Sequence, residues 1–156
     1  MESESIVYGC IRDYSLANID EQHKRSMTNL QAIQALPEAD GWELFHRDLF
    51  GCARLESLAP QSQVIHFGSS YRSIEYEWSA WVQQFENLLK KMYWASAVVH
   101  LETETNGTHT FRWDAESCYH QPSAEALQVR CVWERDSGLR MLCNGIVDQA
   151  ISLASR

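Results

Sequence analysis

What this chain has little of excludes several classes of protein. It contains no apolar run of the roughly twenty residues that cross a bilayer as a helix. Its 13 Lys and Arg face 21 Asp and Glu, for a net charge of −8. A surface so short of positive charge repels phosphate backbones and anionic headgroups, which argues against nucleic acid and against membranes as partners. Only three prolines occur, Pro37, Pro60 and Pro122, each between periodic segments where a missing N–H does least harm. The seven glycines form no GxGxxG loop, no phosphate-binding GxxxxGK loop and no GxSxG elbow. There is no internal repeat, no low-complexity stretch and no linker rich in Gly, Pro or Ser.

The five cysteines are odd in number, widely spaced and contain no CxxC couple. A zinc site would have to use Cys118, His120 and Cys131, which lack the close couples of metal knuckles. Free thiols acting as small hydrophobes are the expectation, with no metal and no cofactor. The chain starts Met-Glu-Ser-Glu-Ser, without the basic and apolar regions of a signal peptide. Together these features predict a cytoplasmic protein.

What is present reads as one globular domain over residues 1–156. Hydrophobic residues make up 45% and charged residues 22%, which suits a packed core. Ile6–Ile11, rich in β-branched and aromatic types, predicts a first strand. Asn18 predicts a helix N-cap, with Glu21 as the return half of a capping box. Ile19, His23, Met27, Leu30, Ile33 and Gln34 then follow at helical spacing, and the helix should end before Pro37. Trp42 to Phe50 reads as a second strand or an extended segment. Gln63–Phe67 reads as a short strand broken by Gly68, Ser69 and Ser70, and a helix begins near Ser73, with Ser73 as its cap. The apolar positions Ile74, Trp78, Trp81, Val82, Phe85, Leu88, Leu89 and Met92 trace one face of that helix.

Ser96–Thr103 and Thr108–Asp114 flank Asn106-Gly107, a strong hairpin signal. A three-residue loop, Thr105 to Gly107, would pair Thr103 with His109 and Leu101 with Phe111. It gathers Val99, Leu101, Phe111 and Trp113 on one face and sends His100, Glu102, Glu104, Thr110 and Arg112 to the other. Burial of one clean face favours this over a two-residue loop. A second hairpin is expected from Leu127 through a turn at Asp136, Ser137 and Gly138 to Cys143, then a closing helix from Ile146 to Leu153. Trp78, Trp81, Trp113 and Trp133 fall on inward faces, whereas Trp94 at a helix end reads as partly exposed. The predicted fold is α+β, a mainly antiparallel sheet with helices packed on one face and the other face open.

Candidate chemistry is sparse. The turn from His66 to Ser73 could hold an anion on helix N–H groups, or be a plain strand-to-helix turn. His100 with Glu102 and Glu104 could be an acid–base cluster, or an exposed face in which Arg112 balances the acids across strands. Acidic pairs recur at Glu75 and Glu77, Glu102 and Glu104, Asp114 and Glu116, Glu38 and Asp40. Such a surface keeps a chain soluble, and also steers a basic partner.

The stretch VIHFGSSYR, then IEYEWSAWVQQFENLLKKMYW, then AVVHLETETNGTHTFRW resembles bacterial polymorphic-toxin immunity proteins in its short strand, Trp-rich amphipathic helix and aromatic hairpin. It covers about a third of the chain. The resemblance implies a non-catalytic protein that binds a cognate toxin, such as a nuclease, and occludes it. On that reading the partner-binding residues are Tyr71, Arg72, Glu102, Glu104, Arg112, Asp114 and Glu116, and the toxin presents a basic surface. A different class is a small enzyme or ligand-binding domain, with Tyr71, His66, His100 and Cys118 around a pocket between helix and sheet. A secretion chaperone is a third reading, and homo-oligomerisation stays open.

Overall fold

The computed structural model describes residues 4–13, 18–38, 44–50, 64–123 and, as backbone, 130–135. Strand β1 (Glu4–Arg12) is followed by helix α1 (Ile19–Gln34) and a 3-10 turn at Arg47–Phe50. Strand β2 (Val64–Arg72) leads through a second 3-10 turn, Ile74–Glu77, into helix α2 (Trp78–Leu89). Strands β3 (Ser96–Thr103), β4 (Gly107–Asp114) and β5 (Arg130–Arg135) complete a five-stranded sheet of order β2-β1-β3-β4-β5. Every neighbouring pair is antiparallel. The architecture is α+β, as the alternating patterns predict. The second hairpin's turn and return strand, the closing helix and Trp42 lie outside the described residues.

The two faces of the sheet divide by parity. Ser5, Val7 and Ile11, Phe67, Ala97, Val99, Leu101, Thr103, His109 and Trp113 are buried on the inner face. Leu30 and Ile33 of α1 and Trp78, Trp81, Phe85, Leu88 and Leu89 of α2 are buried too, and all but Leu30 join the same core cluster as the inward apolar strand residues. Helix α2 lays an aromatic seam along that core. Trp78 and Trp81 stack with ring centroids 5.1 Å apart, and Phe85 meets Trp113 edge-on at 5.0 Å. Such pairs contribute about 0.5–1.5 kcal/mol each beyond the area they bury.

Among the described inward indoles, Trp81, Trp94 and Trp113 each donate to a polar partner, whereas the buried Trp78 Nε1 has none. Trp113 Nε1 donates to Glu86 Oε1 at 3.0 Å. Trp94, only 1% exposed, is a core residue and not a partly exposed one. Its Nε1 donates to the carbonyl of Leu89 at 2.8 Å, and its ring stacks on His120. The ring is buried with its single donor satisfied by a helix-end carbonyl that also accepts from the Met92 N–H at 3.2 Å, using both of its lone pairs.

Four local expectations change. First, β2 does not stop at Phe67. Gly68, Ser69 and Ser70 stay in the ladder opposite Tyr8, Val7 and Ile6, so tertiary pairing overrides weak strand propensity. Ser73 then turns the chain in the left-handed region, φ 56°, and its side chain caps nothing. Second, the hairpin pairs Thr103 with Gly107, Leu101 with His109 and Val99 with Phe111. The loop is therefore Glu104, Thr105 and Asn106, two places from the expected register. A shift of two preserves parity, so the expected faces hold. Third, the buried stripe of α1 runs through Arg25, Asn29, Leu30 and Ile33, while Ile19 is exposed. Asn18 does cap the helix, accepting from the N–H groups of Asp20 and Glu21. Fourth, the segment read as a second strand contains the 3-10 turn at Arg47–Phe50.

The polar members of the α1 stripe explain that rotation. Arg25 is buried, with its guanidinium 4.7 Å from the ring of Tyr93 and 4.0 Å from that of Tyr119, and paired with Asp13. One planar cation thus ties the end of β1 to α1 and to two loops, using stacking that a lysine could not reproduce.

Candidate functional site

The face of the sheet turned away from the helices is the candidate site. Even-numbered residues of β1 to β4 occupy it. Across the strands the rows read Ser70, Ile6, Glu102, Thr108, then Gly68, Tyr8, His100, Thr110, then His66, Cys10, Val98, Arg112. Ile6 is 43% exposed and Tyr8 38%. The Tyr8 and His100 rings lie 5.0 Å apart, and His100 Nδ1 is 2.8 Å from Thr110 Oγ1. This row holds an imidazole in a fixed pose on an open face.

One end of this surface is strongly acidic. Glu4 begins β1 opposite Arg72, and Glu102 lies opposite Ile6. Glu104 follows in the hairpin turn. The 3-10 turn after β2 brings Glu75 to the same end, where its carboxylate accepts from Ser5 Oγ. Between Glu75 and Glu77 stands Tyr76, 88% exposed. Five carboxylates, one arginine and two exposed side chains, Ile6 and Tyr76, thus share the end of the sheet that carries the β3–β4 turn, with Glu4, Ile6 and Glu102 on the open face and Glu75, bonded to the inward Ser5, entering from the helix side.

The seven expected binding residues do not form one group. Arg72, Glu102 and Glu104 belong to the acidic end. Arg112, Asp114 and Glu116 lie at the other end of the sheet. Asp114 is six residues along β4 from Thr108, the partner of Glu102, or about 20 Å at strand rise. Arg112 does not balance Glu102 and Glu104; its Nε bonds Asp114 Oδ1 at 3.2 Å on its own strand. Tyr71 points to the inner face at the end of a strand. Its hydroxyl donates to the Leu44 carbonyl at 3.0 Å and accepts from Trp81 Nε1 at 3.1 Å. Burial raises its pKa above the usual 10.0, and the Trp81 hydrogen bond offsets part of that.

The polar groups expected around a pocket are also dispersed. Tyr71 is used inside the core, His66 and His100 are on the outer face, and Cys118 is exposed in the loop after β4. The space between α2 and the sheet is filled by Trp81, Phe85 and Trp113, each fully buried. His120, considered for zinc with Cys118 and Cys131, stacks on Trp94, with Nδ1 3.1 Å from the Met92 carbonyl. Among the described residues no three His, Cys, Asp or Glu side chains are placed to hold a metal ion.

Ile6, Tyr8 and Tyr76 were not among the expected site residues. A signal for Tyr76 exists, because it lies about 200° around a helix from Ile74, off the apolar stripe. Ile6 and Tyr8 are harder to see, since both faces of β1 are apolar. No helix among the described residues is long and apolar enough to cross a membrane. Comparisons with known protein families, with curated proteins and with solved structures find no match.

Proposed function

We propose that this chain is a binding protein of the immunity type, which docks a basic protein toxin on the acidic end of its sheet and occludes it without catalysis. The observation that carries this reading is Tyr76, an aromatic side chain 88% exposed between two carboxylates. An exposed tyrosine gives up little rotamer freedom on binding and buries a large area, which suits an interface anchor. Glu75 and Glu77 beside it, and Glu4, Glu102 and Glu104 at the same end of the sheet, raise the encounter rate with a basic surface. Ile6 adds an exposed apolar side chain on the open face at that end. Secreted nucleases and similar effectors attract phosphate with basic clefts, and an acidic plug complements them. The net charge of −8 acts in the same direction at longer range.

The test has two stages. The tagged chain is used to capture its partner from a lysate of the source organism, and the captured protein is expressed alone and with this chain. The reading requires that the partner arrest growth alone and that co-expression restore it. Glu102→Lys with Glu104→Lys should then slow association and flatten its salt dependence. A partner that is harmless, or whose toxicity this chain leaves intact, overturns the proposal. Unchanged kinetics in the double variant removes the acidic end from it.

A further inference from the structure

Strand β2 is an outer edge of the sheet, and from Ile65 to Tyr71 no described strand pairs with its far side, although segment 44–50 packs on its inner-face side chains, Phe50 against Phe67 and the Leu44 carbonyl on Tyr71. An open edge is a template for another strand, and sheets usually blunt it with lysine, proline, a bulge or an inward charge. The segment Ile65–Tyr71 has none of these. It contains no Lys, Pro, Asp or Glu, and its ladder with β1 runs without a bulge. The other strands each carry an acid: Glu4, Glu102, Asp114 and Glu134. In a chain of net charge −8, β2 is therefore the strand on which two copies meet with least repulsion.

The sequence of β2 is also complementary to itself. An antiparallel pair centred on Gly68 sets Phe67 against Ser69 of the second copy and Ile65 against Tyr71 of the second copy, both on the inner face. The first pairs a bulky side chain with a small one; the second is an aromatic and β-branched pair of the stabilising kind. On the outer face His66 meets Ser70 of the second copy. At the axis the two Gly68 residues meet with no side chain between them. No like charges oppose each other. We propose that β2 pairs antiparallel with β2 of a second copy about a two-fold axis at Gly68, joining two five-stranded sheets into one. The dimer rests on β2 alone, and it stands or falls apart from the toxin reading.

Sedimentation of the full chain under reducing conditions, over a concentration series, tests it. The expected result is a reversible monomer–dimer equilibrium. His66→Glu with Ser70→Glu places carboxylates directly opposite one another in two symmetric pairs and should weaken the dimer roughly tenfold or more. Both side chains are exposed, so thermal melting should barely move. A second variant, His66→Lys with Ser70→Lys, should weaken it similarly, and an equimolar mixture of the two should regain the dimer. Hydrogen exchange of the unmodified chain gives a readout without substitutions: protection of amides in Ile65–Tyr71 should fall on dilution. A monomer at every concentration, a dimer indifferent to both variants, or protection independent of dilution would each overturn the proposal.

Discussion

Asn29 and Tyr93 grip each other by two hydrogen bonds. The Asn29 Nδ2 donates to the Tyr93 carbonyl at 2.9 Å, and the Tyr93 N–H donates to Asn29 Oδ1 at 2.7 Å. A buried side chain in mid-helix thus imitates a strand and satisfies the backbone of the residue leading from α2 toward β3. Asn29→Ala should cost about 1–3 kcal/mol, because it removes both bonds and leaves the half-buried Tyr93 N–H and carbonyl without them. Urea denaturation with an unchanged m-value would measure it. Asn29→Asp should also destabilise, since it keeps the acceptor but sets a carboxylate against the Tyr93 carbonyl.

Tyr71 gives the chain an alkaline sensitivity with a definite sign. Burial raises its folded pKa above the unfolded value of 10.0. The folded state therefore holds the proton where the unfolded state loses it, and stability from this group is complete below pH 10.0 and is lost as pH climbs through the folded pKa. In Tyr71→Phe this alkaline decline should be shallower. At neutral pH the variant should lose about 1–2 kcal/mol, for the hydrogen bonds to Leu44 and Trp81. Denaturation midpoints at neutral pH and above pH 10 compare the two.

Gly9 is required by close approach. A Cβ there would stand 1.9 Å from the Val98 carbonyl oxygen and 2.9 Å from Phe67 Cζ. The obstacle is backbone in the central strand pair, so it cannot step aside. Gly9→Ala should destabilise by about 3 kcal/mol or more, at the upper end of overpacking effects, and the melting temperature reads it. A loss within half a kilocalorie would mean that β1 and β3 can part at little cost.

Tyr76→Ala separates binding from folding. The ring is exposed and contributes little to the core, so stability should change by less than about 0.5 kcal/mol. On the proposed immunity function, affinity for the captured partner should fall by about 2 kcal/mol. Calorimetric titration beside a thermal melt gives both numbers. Arg112→Glu, at the far end of the sheet, should leave affinity nearly unchanged.

The α+β class, the amphipathic α2 and the two faces of the β3–β4 hairpin were legible because each rests on a local period. Trp78, Trp81 and Phe85 recur at helical steps, and Val99 and Leu101 alternate with His100 and Glu102. The register escaped because slips of two residues keep the same parity, and only the loop geometry around Gly107, φ 71°, separates them. The extent of β2 escaped because Gly68, Ser69 and Ser70 have weak strand preference alone; the Ile6, Val7 and Tyr8 backbone that completes their ladder is some sixty residues away. Arg25 and Asn29 escaped because they are polar residues buried by partners distant in the chain.

The candidate site divides in the same way. Composition alone determined that the surface is acidic, and the parity of β3 determined that Glu102 faces away from the helices. Only the tertiary structure decided that Glu4, Arg72, Glu75 and Glu102 meet at one end of the sheet, that Arg112 and Asp114 lie at the other, and that Tyr71 belongs to the core. Side-chain direction follows from a local period, but proximity across strands follows from register and strand order. Those are set by which long-range packing buries the aromatic seam of α2, and no short window of sequence contains that information.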